Sequence, residues 1–168
     1  KNKQQLYTVT REDKKLYVID LKTKATKATY DLGAEGYTCQ LTPDAKQLYI
    51  SVWGGEKILV WDVTQNKITK EIPVGSHPNE ITFSKNGKWL FVANANDNSV
   101  SIIDTKTGAV VETLNAALYP NAPSGSTSNG VALSTDGKTL YIANADNNCL
   151  AVFDVSKPGR SISKGFIP

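Results

Sequence analysis

One residue of the chain, His77, could exchange a proton near neutral pH without help from its surroundings. It precedes Pro78 in the segment 75–78, whose composition is typical of a loop. The simplest interpretation is an exposed loop histidine, and contact with a ligand is the alternative. A catalytic role is not predicted, because no serine or cysteine can be matched from the sequence to a base and an orienting group.

Four aspartates are the most regularly placed carboxylates in the chain. Each ends a short apolar run and precedes a polar turn; they are Asp20, Asp62, Asp104 and Asp154. A carboxylate in this position can accept a hydrogen bond from the backbone two residues on, as in an Asx-turn. Asn66 and Gly108 follow where a left-handed backbone costs little. The aspartates are therefore predicted to form turns and not to act in catalysis.

Asparagines cluster in two segments that could form a polar ring. The residues are Asn94, Asn96, Asn98, Asn144, Asn147 and Asn148. Most are interpreted as turn formers, because asparagine tolerates the left-handed conformation. The alternative is a ring that binds a sugar or a cation together with Asp97 and Asp146. Calcium is disfavoured, since the sequence has no dense D-x-D-x-D-G loop.

The segments that must position these residues repeat along the chain. The aspartates are spaced 42, 42 and 50 residues apart, and so are Leu6, Leu48, Leu90 and Leu140. A third series, YTCQLT, NEITFS and NGVALS, keeps the same register. The extra residues of the last spacing fall between Leu114 and Asn129.

Each repeat holds four short segments that are rich in Val, Ile, Tyr and Phe, as strands are. Asn86-Gly87 and Asp136-Gly137 supply the positive φ of a tight hairpin, and Asp44-Ala45 is a weaker version. Four strands in about 42 residues, with no helical period between them, predict a propeller blade. The predicted fold class is all-β: a partial β-propeller of about four blades, each a four-stranded antiparallel sheet.

Four stretches carry a family resemblance: LYIANADNNCLAVFD, LFVANANDNSVSIID, EIPVGSHPNEITFS and ALSTDGKTLYIAN. They resemble the YVTN-repeat β-propellers of bacterial and archaeal surface or periplasmic proteins, over essentially the whole chain. Residues 119–129 and 165–168 resemble a subgroup whose propeller precedes a metal-dependent phosphoesterase domain. The resemblance implies a periplasmic or extracellular, cell-surface location in a bacterium.

The resemblance also implies the order of strands within a blade. It assigns the inner strands, which line a central channel, to residues 37–42, 79–84 and 129–134. The first blade supplies only three strands, at 5–10, 15–20 and 26–32, so fifteen strands are predicted. One partial domain covers residues 1–168, with blades at about 1–32, 37–74, 79–115 and 129–168.

This order sorts the loops onto two faces. The Asp44, Asn86 and Asp136 hairpins and the aspartate turns lie on one face. The segments through which the chain enters the inner strands lie on the other, which we call the mouth face. Ligands are expected there by family analogy. The predicted ligand-binding residues are Trp53, His77, Asn94, Tyr119, Asn129 and Asn144.

Two features of the mouth face depart from the repeat. Trp53 departs from the Asn-Ala pattern at 94–95 and 144–145, so it is either a binding anchor or packed against the neighbouring loop. The segment 115–129 contains two prolines and four hydroxyl residues, and a loop of this length is usually functional or mobile. It is the best candidate for a recognition element; a solvated or domain-docking loop is the alternative.

Composition argues against several classes of function. The net charge of +3, with both signs interspersed, does not predict nucleic-acid binding. No apolar run approaches the ~18–20 residues that span a bilayer. One histidine and two cysteines are too few for a zinc site, so no metal and no cofactor are predicted. Cys39 aligns with core residues, Cys149 lies two blades away, and two free thiols are predicted.

Three functional hypotheses follow. The leading one is a non-catalytic binding or scaffolding module that presents loops to a small ligand or a partner domain. The second is an accessory propeller of a phosphoesterase or other hydrolase whose catalytic domain lies outside this chain. The third is a sugar lactonase, for which one histidine and two arginines are sparse. The chain is expected to be cut within the repeat, with its open blade faces covered by the rest of a longer polypeptide or by a second copy.

Overall fold

The computed structural model describes residues 4–119 and 122–168. They form fifteen β-strands, as predicted, and two short 3-10 turns at Trp53–Gly55 and Ala145–Asn147. The strands are β1 Gln5–Val9, β2 Lys15–Asp20, β3 Thr26–Asp31, β4 Gly36–Leu41, β5 Gln47–Val52, β6 Lys57–Asp62, β7 Lys67–Pro73, β8 Pro78–Phe83, β9 Trp89–Asn94, β10 Ser99–Asp104, β11 Ala109–Asn115, β12 Ser128–Leu133, β13 Thr139–Asn144, β14 Cys149–Asp154 and β15 Ile162–Ile167.

The strands form one three-stranded and three four-stranded antiparallel sheets, each built from consecutive strands. We number these sheets as blades 1 to 4. The inner strands β4, β8 and β12 lie side by side, and β1 lies against β4, so the blades radiate from a common axis. The predicted fold class is confirmed, with the inner strands starting one residue earlier than predicted.

Apolar residues fill the spaces between successive blades. The repeated leucines Leu48, Leu90 and Leu140 are at most 1% exposed. The middle strands β6 and β10 are buried on both faces, because a blade packs on each side of them. Residues of β13 and β14 alternate between buried and more exposed. Whether a strand is buried on one face or on both thus depends on whether its blade has a neighbour on one side or on both.

The aspartate turns form as predicted. The Oδ1 atoms of Asp20, Asp62 and Asp104 each accept hydrogen bonds from the backbone amides two and three residues on, at 2.7–3.2 Å. The Oδ1 of Asp154 accepts one from the amide two residues on, at 3.0 Å. Asn66 and Gly108 have φ of 53° and 75°, in the left-handed region. These carboxylates are used within their own turns on the face opposite the mouth.

The hairpins between inner and second strands share another device. A hydroxyl at the start of each turn donates to the residue two positions on: Thr42 to Asp44, Ser84 to Asn86, and Ser134 to Asp136. The left-handed position is taken by Ala45, Gly87 and Gly137. Ala45, the weaker turn former, therefore adopts the same backbone conformation as the two glycines.

Both cysteines are free thiols. Cys39 packs beside the core between blades 1 and 2, with its Sγ 3.6 Å from the Tyr7 carbonyl oxygen. Burial raises the pKa of its thiol from the ordinary 9.0 to about 11.

The raised pKa of Cys39 predicts a loss of stability at high pH. The thiol loses its proton at a lower pH in the unfolded chain than in the folded protein. Its contribution to the free energy of unfolding is therefore complete below about pH 9 and is lost as the pH rises towards 11. We expect the free energy of unfolding of the wild type to fall relative to Cys39→Ala over this range. Denaturant unfolding of both proteins at each pH measures the difference. A difference that does not change with pH would contradict the assignment.

Candidate functional site

The mouth face is built the same way in three blades. In each, the backbone N–H just after the second strand donates to the carbonyl of the residue before the inner strand. The three bonds, all 3.0 Å long, join Trp53 to Glu35, Ala95 to His77, and Ala145 to Thr127. The loops are thereby fixed to one another, and their side chains stand on a rigid rim.

Three side chains from neighbouring blades meet on this rim. The Arg11 guanidinium carbon lies 4.0 Å from the centre of the Trp53 ring. The rings of Trp53 and His77 are 4.4 Å apart and nearly perpendicular. We call Arg11, Trp53 and His77 the rim cluster. Trp53 and His77 were both predicted to bind ligand. The Trp53 ring packs against the loop that carries His77, which is one of the two interpretations given for Trp53 above.

His77 is held by polar neighbours on its own blade. Its Nδ1 lies 2.8 Å from the Ser76 Oγ and 2.9 Å from the Asn96 Nδ2. With the amide oriented in this way, Nδ1 accepts and the ring proton sits on Nε2. The backbone of His77 has a φ of 54°, which is uncommon for a residue other than glycine. The polar contacts of Nδ1 and the contact with the Trp53 ring therefore both fix the position of the imidazole.

Arg11 also faces a carboxylate. The Arg11 Nη2 lies 3.9 Å from the Glu35 Oε2, and both side chains are well exposed. This ion pair is longer than a hydrogen bond, and such exposed pairs stabilise little. The two residues and Glu12 line an open cleft of about 270 Å³. The guanidinium thus keeps donor capacity directed towards the cleft and the solvent.

Asn94 and Asn144, both predicted to bind ligand, are buried at the ends of β9 and β13. Asn144 donates to the Ala116 carbonyl at 2.7 Å and accepts from the Ser128 hydroxyl at 2.8 Å. The Asn94 amide lies 2.9 Å from the hydroxyls of Ser99 and Ser101. The structure thus places both side chains beneath the mouth loops, which they support, and away from the surface.

The Asn94 Oδ1 is buried and has no hydrogen-bond partner within the described residues. Rotating the amide by half a turn would place that oxygen against the Ser99 and Ser101 hydroxyls, which can donate. In the rotated orientation, the two serine hydroxyls satisfy the buried oxygen.

The remaining two predicted residues lie apart from the rim cluster. Asn129 is exposed at the start of an inner strand, where its Oδ1 accepts a hydrogen bond from the nearly buried Asn79 of the next blade. Tyr119 is 57% exposed in the long loop. Of the six predicted residues, only Trp53 and His77 contact each other among the described contacts.

The 115–129 loop is tied to blade 3 by Asn98. Its Nδ2 donates to the Pro123 carbonyl at 2.8 Å, and its Oδ1 accepts from the amides of Gly125 and Ser126 at 3.1 and 2.6 Å. An open cleft of about 510 Å³ lies between this loop and the blade edge. Pro120 and Asn121 of the predicted loop lie outside the described residues.

Sequence reasoning gave no individual role on this face to Arg11, Glu35 or Ser76, and it read Asn98 as a turn former or part of a polar ring and not as the anchor of a loop. The signals were the adjacent Ser76-His77 pair and the position of Arg11, which the repeat makes equivalent to Trp53. Neither signal could tell that the side chains would meet.

The described part of the chain contains no group of three His, Cys, Asp or Glu side chains arranged to hold a metal ion. It also contains no helix of the length and apolarity that crossing a membrane requires.

Radial four-stranded blades around a rim of connecting loops define the class of this protein, a β-propeller. The profile of the family described as Lactonase, 7-bladed beta-propeller, matches residues 37–165, and the chain belongs to that family.

Two curated relatives and one solved structure illustrate the similarity. The 6-phosphogluconolactonase of Enterobacter sp. (strain 638) is 24% identical over an alignment of 120 residues, and the match covers 67% of this chain and 36% of that protein. Antigen Lp49 of Leptospira interrogans (serogroup Icterohaemorrhagiae, serovar copenhageni, strain Fiocruz L1-130) is 33% identical over an alignment of 88 residues, and the match covers 44% of this chain and 19% of the antigen. The chain therefore spans about a third or less of these relatives.

Hydrazine synthase of Kuenenia stuttgartiensis superposes with a TM-score of 0.80 at 24% identity. The match covers 98% of this chain and 46% of the synthase chain. At this identity, the likeness shows the propeller fold alone.

Proposed function

We propose that the chain is a binding module whose mouth face holds a small anionic sugar derivative at the rim cluster. The observation that carries this proposal is the contact of Arg11, Trp53 and His77 across three blades. Loops fixed by backbone hydrogen bonds lose little entropy on binding. On the opposite face, the turn aspartates are engaged by the backbone amides of their own turns.

The chemistry of the rim cluster favours this class of ligand. A guanidinium offers several donors to a carboxylate or phosphate, and an indole offers an apolar surface to a sugar ring. One relative is named 6-phosphogluconolactonase. Its name suggests 6-phosphogluconate, an acid with a sugar backbone and two anionic ends, as the first probe.

Titration calorimetry with 6-phosphogluconate tests the proposal. We expect Arg11→Ala to weaken binding by at least about tenfold, because a charged hydrogen bond is lost. Lys88→Ala is the matched control: the Lys88 ammonium lies 4.8 Å from the centre of the Trp89 ring, at a hairpin of the opposite face. Equal affinities of both variants and the wild type, or no binding by the wild type, would refute this ligand class.

Hydrolysis of a lactone is a second candidate, favoured by the family and by the short Ser76–His77 contact. His77 would take the hydroxyl proton as the Ser76 Oγ attacks the carbonyl carbon, and would return it to the ring oxygen as the C–O bond breaks. Water would then release the acid from Ser76. Turnover of 6-phosphogluconolactone that Ser76→Ala abolishes and Ser84→Ala retains would support it; equal rates in both variants would reject it.

The finer expectations stay predictions. These are the YVTN-repeat subtype, a periplasmic or cell-surface location, and a role as the accessory propeller of a phosphoesterase. The family and the rim cluster are compatible with each of them.

A further inference from the structure

The outermost strand of blade 3, β11, differs from the outermost strands of the other blades. In each of these four strands, one exposed residue bulges out between paired neighbours at the same place in the repeat. The bulged residues are Lys27, Thr69, Val111 and Lys164. Val111 is the apolar member of this set; it is 40% exposed, beside Val110 at 38%.

The charged residues of the four outermost strands also distinguish β11 from the other three. β3, β7 and β15 each carry at least one lysine, a residue that commonly protects sheet edges from pairing. β11 has a single charged residue, Glu112. Its carboxylate accepts hydrogen bonds from the amides of Gly159 and Ser161, at 2.8 and 2.9 Å, in blade 4. The charge of β11 is thus turned inward, against the neighbouring blade.

The backbone of β11 is paired on one side alone. The strand lies at the end of its sheet and bonds to β10, so its outer amides and carbonyls face away from the blade. The chain then continues to Leu118 and Tyr119, which are 44% and 57% exposed. These residues add apolar surface beyond the end of the strand.

We infer that β11 is an interaction edge at which a second copy of this chain pairs through its own β11. Two identical strands related by a two-fold axis pair in antiparallel fashion, so each copy satisfies the other. Their joined blades would form one eight-stranded sheet, with the valines of the two copies in contact. Charge favours this occupant: β11 can face itself without a lysine, whereas Lys67 and Lys70 of β7, or Lys164 of β15, would face their own copies.

Analytical ultracentrifugation of the chain at micromolar concentrations tests this inference. We expect a monomer–dimer equilibrium that Val111→Lys weakens at least about tenfold, since it removes apolar contact and places lysines across the axis. Thr69→Lys, at the equivalent bulge of β7, should dimerise as the wild type does. A wild type that stays monomeric, or equal association of Val111→Lys and the wild type, would overturn the inference.

Amide hydrogen exchange provides a second readout. Both variants should melt like the wild type, because both bulges are exposed. Raising the protein concentration should slow exchange in β11 of the wild type and of Thr69→Lys, but not of Val111→Lys. Concentration-dependent protection confined to the open face of blade 1 or blade 4 would instead assign association to blade faces and overturn the inference.

Discussion

Substituting alanine for Asn98 is expected to lower the free energy of unfolding by about 3 kcal/mol, through three lost hydrogen bonds of about 1 kcal/mol each. The Asn98 side chain is 3% exposed and bonds the backbone of Pro123, Gly125 and Ser126. Without it, these groups would lose their partner, and the amide of Ser126 would do so in a buried position. The loop they belong to should then detach from blade 3.

Asn148→Ala is the matched control for this substitution. Asn148 occupies the same place in the next repeat, with a φ of 49° against 50° for Asn98, but its side chain is exposed. Both variants therefore carry the same cost of placing alanine in the left-handed region. Denaturant unfolding gives the two free energies, and limited proteolysis of residues 115–129 reports loop detachment. Equal losses of stability in the two variants would show that the hydrogen bonds of Asn98 contribute nothing.

Substituting alanine for Gly75 is expected to lower the free energy of unfolding by about 2–3 kcal/mol and to disturb the rim cluster, because the added methyl group would overpack the site. A Cβ at this position would lie 2.5 Å from the Asp97 Oδ2 and 2.7 Å from the Asn94 Cγ. Asn94 is fully buried and cannot move aside. The Asp97 carboxylate accepts the amide proton of Ser76, so its displacement would reach the residue next to His77.

Gly54→Ala controls for the loss of a glycine on the same face. Its added Cβ would meet the Glu35 Oε2 at 3.6 Å, an ordinary contact. We expect the free energy of unfolding of Gly54→Ala to lie within about 1 kcal/mol of the wild-type value. Calorimetry with 6-phosphogluconate should show weaker binding by Gly75→Ala alone. Wild-type stability of Gly75→Ala would mean that the loop has room that the structure does not show.

Much of the fold could be predicted because its signals are local and recur. A strand, a hairpin and an aspartate turn each depend on a few neighbouring residues, and repetition in a common register removes the ambiguity of a single instance. Asp104 could therefore be assigned to a turn from five residues of sequence, and the structure places two amides on its carboxylate. Even Ala45 was placed correctly in a hairpin by its repeat equivalents.

The candidate site was harder to predict because its residues come from different blades. Arg11, Trp53 and His77 are separated by 42 and 24 residues, and their contact depends on how adjacent blades pack. Burial was also beyond the reach of local reasoning. Asn94 and Asn144 read as surface residues in the sequence, yet each lies under a loop that the neighbouring strands hold in place.

Asn98 and Asn148 separate what the sequence determines from what the tertiary structure determines. The repeat alone determined that both asparagines follow a second strand and favour a left-handed turn, because backbone conformation depends on local residues. Only the folded chain decided that one anchors a loop and the other faces solvent. The physical reason is that a hydrogen bond needs a partner within about 3 Å, and the 115–129 loop brings its backbone to Asn98.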